Sequence, residues 1–177
     1  MKIAITGPIG SGKSTVVRAV MDRLGWRQPA GFLTRRNTDQ RPAPALLLET
    51  WEGASCVFAQ WRKSSLNEGG PHYAADVSAI NRFAVEHMAN VPAETPVVLD
   101  ELGVLELSAE TFTRAVAALF RRPDLVLAVI QQRALDRWLA IIGQKNIDHV
   151  FKVERGNRDR LPAEISALLK KWSRRYL

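Results

Sequence analysis

Gly7-Pro8-Ile9-Gly10-Ser11-Gly12-Lys13-Ser14-Thr15 is the stretch from which the rest of this chain can be read. It fits the pattern G-x-x-x-x-G-K-[ST]. It lies between an apolar run, Lys2 to Thr6, and a segment of helical period, Lys13 to Leu24. A phosphate-binding loop needs that context. Glycines let the backbone curl so that successive N–H groups point inward at phosphate oxygens. The helix that follows directs its positive dipole end at the same point. In this pattern the lysine, Lys13, reaches the β- and γ-phosphates as a point charge, and the Ser14 hydroxyl ligates Mg²⁺. The expectation is a nucleoside triphosphate as ligand and Mg²⁺ as cofactor, with every residue from Gly7 to Thr15 lining the nucleotide.

Outward from the loop, apolar runs alternate with helical periods. Lys2 to Thr6 reads as a buried strand. The following helix carries Val17, Val20, Met21 and Leu24 on one face and stops at Gly25. Ala30 to Arg35 reads as a strand, and Ala45 to Thr50 with Ala54 to Ala59 as a β-hairpin around Trp51-Glu52-Gly53. Residues 61 to 72 are polar and turn-rich and read as a mobile loop. Further on, helices are marked by Ile80, Phe83, Ala84 and His87, by Phe112, Ala115, Val116 and Leu119, and by Leu135, Trp138, Leu139 and Ile142. A last helix carries Ile165, Leu168, Leu169 and Trp172, with Pro162 in its first turn. Between them Val97 to Leu99, Leu125 to Ile130 and His149 to Val153 read as strands. The alternation predicts an α/β fold, a parallel sheet covered by helices on both faces, with the hairpin region, about 30–60, as an antiparallel addition.

A phosphate-binding loop calls for a second acid to complete the magnesium shell. Val97-Val98-Leu99-Asp100 is an apolar strand ending in a carboxylate, whereas the strand end at Ile130 has none, so Asp100 is the expected metal residue. Glu101 follows directly. A glutamate there suits polarising a water aimed at the γ-phosphate. Lys13 and Glu101 are therefore the expected catalytic residues. Glu106 is a weaker candidate for a supporting role. Gln131 or Gln132 reads the γ-phosphate or the attacking water if its strand lies beside the loop strand. His72, His87 and His149 show no metal-ligand spacing, and His87 is expected to pack on its helix face.

The 177 residues suit one domain, 1–177. With 46% apolar and 24% charged residues the composition is that of a soluble globular protein. No apolar run approaches the roughly 20 residues of a membrane span, and the N-terminus does not read as a signal peptide. Cys56 is the only cysteine, which leaves no internal disulfide and suggests the cytoplasm. The net charge of +7 and pI of about 10.1 attract polyanions. Lys170, Lys171, Arg174 and Arg175 form a basic end. No aromatic and basic residues interleave there as in a single-strand-binding platform, so no strong nucleic-acid site is expected.

The chain resembles the small nucleoside-triphosphatases of thermophilic bacteria, archaea and animals, the group that includes the human cancer-related nucleoside-triphosphatase. The resemblance rests on the Gly7 to Thr15 loop, Gly31-Phe32-Leu33-Thr34, Val98-Leu99-Asp100-Glu101-Leu102-Gly103 with Glu106-Leu107, and Asn157-Arg158-Asp159 with Leu161-Pro162. It implies a RecA-like P-loop core, Mg²⁺-dependent hydrolysis of ATP, GTP and other triphosphates, and loose base selectivity. It also supports Asp100 for the metal and Glu101 as the base. Arg35-Arg36 stands where the family usually has an acid, Arg41-Pro42-Ala43-Pro44 replaces a strand with an arginine and a glycine, and Val104 replaces a basic residue. Two alternatives stay open. One is a nucleoside or nucleotide kinase, with Arg133 and Arg137 four apart on a predicted helix as a lid. The other is a nucleotide-switched nucleic-acid-binding module. Glu101 beside Asp100, and the lack of an acceptor pocket legible in the sequence, favour hydrolysis.

Overall fold

The structure is a computed structural model and describes residues 1–37, 44–63 and 72–173; residues 38–43, 64–71 and 174–177 lie outside the description, as does the side chain of Ser173. Arg41, Pro42 and Ala43, most of the expected loop at 61–72, and Arg174 and Arg175 fall in those segments.

All five residues of β1, Lys2–Thr6, are buried. It runs parallel to two neighbours, β7, Val126–Ile130, and β8, His149–Lys152. β7 is in turn parallel to β6, Val97–Leu102, and β6 to β2, Ala30–Arg36. Three antiparallel strands extend the β2 edge: β3, Leu46–Thr50, β4, Ser55–Arg62, and β5, His72–Ala75. The eight strands lie in the order β5-β4-β3-β2-β6-β7-β1-β8.

Strand side chains alternate between the faces, and the helices sort accordingly. Ile3 and Ile5 of β1, Val98 of β6, and Leu127 and Val129 of β7 share a core with Val16, Val17 and Val20 of α1, Lys13–Leu24, and Ile165 and Leu169 of α5, Leu161–Ser173. Ala4, Leu99, Ala128 and Ile130 face the other way. They meet Ile80 and Phe83 of α2, Val77–His87, Phe112 and Val116 of α3, Glu110–Arg121, and Trp138 of α4, Leu135–Ile142. Helices therefore cover both faces, as expected. Gly25 ends α1 at φ 70°.

The hairpin at Trp51-Glu52-Gly53 forms as read, with Glu49 opposite Ser55. The antiparallel addition is larger than the sequence suggested. Trp61 and Arg62 continue β4, and His72 begins β5. The four residues of β5 are too few, and too close to polar neighbours, for their alternation to stand out.

β2 approaches β6 so closely that only glycine fits at Gly31. Its φ is +101°, and a Cβ there would stand 2.3 Å from the Val98 carbonyl oxygen. Gly31→Ala is expected to destabilise the fold by about 1–3 kcal/mol or more, from backbone strain plus the clash. Gly53→Ala, at φ +100° with nothing within 4 Å, should cost clearly less. Urea unfolding of the two variants side by side checks this, and equal midpoints would contradict it.

Candidate active site

The carboxyl ends of β1, β7 and β6 open onto one crevice, the usual ligand position of a parallel sheet. The loop between β1 and α1 wraps it. Gly7 has φ +145°, and a Cβ there would meet the Val153 carbonyl oxygen at 2.4 Å. Gly10 and Gly12 also have positive φ, 75° and 98°. The Ser11 N–H closes a turn onto the Pro8 carbonyl at 3.2 Å. Ile9 projects from the loop, 91% exposed. Thr15 lies in the first turn of α1 and lines a recess beside the loop. The Lys13 ammonium is buried and donates to the carbonyls of Gly7 and Pro8 at 3.2 and 3.1 Å. The hydroxyls of Thr6 and Ser11 are buried with no hydrogen-bond partner among the described residues. An unpaired buried hydroxyl inside such a loop is the kind of group a phosphate oxygen would satisfy.

Asp100 and Glu101 reach this loop from β6. The Ser14 hydroxyl donates to Asp100 Oδ1 at 3.1 Å. Glu101 Oε2 lies 3.9 Å from the Lys13 ammonium. The acids do not end the strand, as the sequence suggested; β6 continues to Leu102. Asp100 stands opposite Val129 and Leu102 opposite Ile130, so Glu101 is the extra residue of a bulge. A bulge re-aims side chains. It accounts for two successive carboxylates, which a regular strand would send to opposite faces, lying near the same loop.

Because β7 lies beside β1, the condition set for the glutamines is met. The Gln131 amide donates to Glu101 Oε1 at 3.0 Å, and Arg133 Nε donates to Gln131 Oε1 at 2.9 Å. Gln132 opens a short 3₁₀ turn, Gln132–Ala134, that also contains Arg133, whereas Arg137 belongs to α4. The two arginines thus sit on different elements and do not share the single helix face expected of a lid.

Burial dominates the electrostatics. It pushes Asp100 up to about 6, with the Glu101 charge adding and the Ser14 hydrogen bond, Arg18 and Lys13 opposing. Burial likewise pushes Glu106 up to about 7, against the N–H groups it accepts from. Glu106 is only 2% exposed and accepts from the Gly103 N–H at 3.1 Å, while the Trp138 indole donates to the Gly103 carbonyl at 2.8 Å. Glu106 therefore braces the segment after the two acids. Among the described residues no group of three or more His, Cys, Asp or Glu is arranged to hold a metal.

Two recesses flank the loop. One, about 380 Å³, is lined by Gly12, Thr15, Ala19, Arg23 and Arg158. Arg158, which the sequence left unplaced, comes so near Gly12 that a Cβ there would lie 3.4 Å from its Cδ. The other, about 630 Å³, opens on the Glu101 side between the strand ends and the antiparallel addition. No such pocket was legible in the sequence. Its walls come from seven separate segments, and the only local sign was Arg35-Arg36 departing from the family pattern.

A family model described as NTPase matches residues 2–166. The nucleoside-triphosphatase THEP1 of Methanosarcina acetivorans is 31% identical over 173 residues, covering 94% of this chain and 95% of that protein. The crystal structure of THEP1 from the hyperthermophile Aquifex aeolicus superposes with a TM-score of 0.71 at 26% identity, covering 96% of this chain and 99% of that one. The solution structure of a human cancer-related nucleoside triphosphatase shares the fold, with a TM-score of 0.74 at 22% identity, covering 96% and 97% of the two chains. No helix among the described residues is long and apolar enough to cross a membrane.

The Glu106 shift makes stability depend on pH. Its ordinary value is 4.5, raised in the folded protein to about 7. Folding favours the neutral acid, so the stabilisation is fully present below pH 4.5 and is lost as pH rises through about 7. The amount is on the order of 3 kcal/mol. Glu106→Gln keeps an acceptor for the Gly103 N–H and cannot ionise. Its stability advantage over wild type should grow between pH 4.5 and 7.5 in urea unfolding; parallel pH profiles would contradict the assignment.

Proposed function

The chain belongs to the NTPase family and is a nucleoside-triphosphatase, and on that premise we propose that it hydrolyses ATP, GTP and other nucleoside 5′-triphosphates to diphosphate and phosphate with Mg²⁺ as cofactor. The observation that carries the proposal is the Glu101 carboxylate, with one oxygen held by Gln131 and the other 3.9 Å from the loop lysine. A carboxylate so held is oriented for a water in line with the γ-phosphate. Glu101 takes the proton as the water oxygen attacks phosphorus, and the bond to the diphosphate oxygen breaks. Lys13 turns from the loop carbonyls toward the β- and γ-phosphates and offsets the charge spread over their oxygens. The backbone N–H groups of the Gly7 to Thr15 loop other than Pro8, which has none, and the start of α1 hold the rest of the chain of phosphates.

Ser14 and Asp100 are the residues that would hold Mg²⁺. Their oxygens already lie within 3.1 Å of each other, and one hydroxyl plus one carboxylate, completed by phosphate oxygens and water, is the usual donor set for this ion. When bound, the cation neutralises charge on the β- and γ-oxygens and makes ionised Asp100 less costly to bury. The recess under Arg158 suits ribose and base. We take residues 1–177 as a single domain, and the free thiol of Cys56 fits a reducing compartment such as the cytoplasm. The basic residues of α5, Lys170 and Lys171, are not proposed as a nucleic-acid site.

Three substitutions separate the roles. Lys13→Ala should lower triphosphate affinity with the fold intact, measured by calorimetry with Mg²⁺. Asp100→Asn should weaken the Mg²⁺-dependent part of that binding. Glu101→Gln should leave affinity nearly unchanged and slow phosphate release by about 10²–10⁴-fold. Wild-type turnover in Glu101→Gln, in a phosphate-release assay over four triphosphates, would sink the general-base role. Little release alone but rapid transfer to an added nucleoside or nucleotide would favour the kinase alternative.

A further inference from the structure

We propose that the cleft on the Glu101 side of the loop is a second binding site, and that its ligand is a nucleoside monophosphate or a molecule of the same chemistry, an aromatic ring system carrying phosphate. The inference rests on the triphosphate occupying the Gly7 to Thr15 loop, since that places the cleft beyond the γ-phosphate.

Size comes first. Hydrolysis needs one water, whose share of liquid volume is about 30 Å³. The cleft in front of Glu101 measures about 630 Å³, within the range of small-molecule sites.

Its lining combines two kinds of side chain. At the strand ends, Arg133 lies against Gln131, the residue that holds Glu101. Arg36, at the end of β2, has no ion-pair or side-chain hydrogen-bond partner among the described residues, whereas its neighbour Arg35 is paired with Glu49. Both Arg36 and Arg133 line the cleft. They suit a phosphate better than an uncharged ligand, because a guanidinium presents paired donors to phosphate oxygens. The carboxylates of Glu101 and Glu106 also line the cleft. They argue against a bare polyanion and fit hydroxyl groups.

The antiparallel addition supplies rings. Trp61 of β4 and Tyr73 of β5 meet edge to face, with centroids 5.1 Å apart, and both line the cleft with Phe58 beneath. The Tyr73 hydroxyl is anchored on the Pro44 carbonyl at 3.0 Å, which fixes the pair. Trp61 is 39% exposed, a large ring at a wet surface that gains by being covered with another ring. Rings and arginines lining one cleft match a base with its phosphate.

The test is calorimetry in two steps. Wild-type protein is first titrated with adenylyl imidodiphosphate and Mg²⁺ to saturation, then with adenosine or uridine 5′-monophosphate. A second binding event with at least one monophosphate is expected. It should weaken by about tenfold or more in Trp61→Ala and in Arg36→Ala, and persist in Trp61→Phe, which keeps a ring. Trp61 of β4 and Arg36 at the end of β2 are both exposed, and the first titration reports on each variant's fold. No second event in saturated wild type, or one equally tight in both alanine variants, overturns the inference while leaving the nucleotide site standing. Failure of the analogue to bind wild type in the first step would overturn both.

Discussion

The level register of three parallel strands is the constraint on which the site depends. Ile5 of β1 pairs with Val129 of β7, and Val129 with Asp100 of β6. The Gly7 to Thr15 loop and the two acids therefore leave the sheet at the same height, with one strand between them. Neighbouring strands are about 4.8 Å apart, so the intervening β7 separates β1 from β6 by roughly 10 Å. Ser14, in the first turn of α1, spans that gap to Asp100. A one-residue slip in either pairing would send Asp100 to the opposite face and dismantle the site.

Holding carboxylates at this height is costly without a ligand. Asp100 and Glu106 are both buried, and burial raises both above the ordinary carboxylate range. The Lys13 ammonium is likewise buried and is satisfied by loop carbonyls rather than by a close carboxylate. Opposite charges are thus kept near each other but not collapsed into a tight pair, since Lys13 and Glu101 remain 3.9 Å apart. A tight pair would be an obstacle to a triphosphate bound as proposed. The network from Arg133 through Gln131 to Glu101 holds the carboxylate from the far side, and Glu106 with Trp138 fixes Gly103 just beyond it.

The antiparallel addition changes what the site can contact. β3, β4 and β5 extend the sheet beyond β2, carrying Trp61 and Tyr73 to the rim of the space in front of Glu101. The parallel core by itself would leave that space open to water. The addition turns it into a walled cleft, and the close approach of β2 to β6 at Gly31 holds the wall in place.

Much of this was legible in the sequence by itself. The Gly7 to Thr15 pattern, the alternation of strands and helices, the helix stop at Gly25, the hairpin at Gly53 and the adjacent acids at 100 and 101 are local properties. They depend on backbone freedom at glycines and on the period of apolar residues, which a linear reading captures. Tertiary structure alone decided the rest. Strand order placed β7 between β1 and β6, and the pairing with β6 let the Gln131 amide meet Glu101. A register shift, invisible in Asp100-Glu101 as letters, turned Glu101 into a bulge residue near the loop. Arg158 reached Gly12 across 146 positions of chain, and the cleft was assembled from residues of β2, β4, β5 and the turn after β7. Such placements follow from which apolar faces pack together, a sum over contacts distant in sequence, and no short window of residues carries that sum.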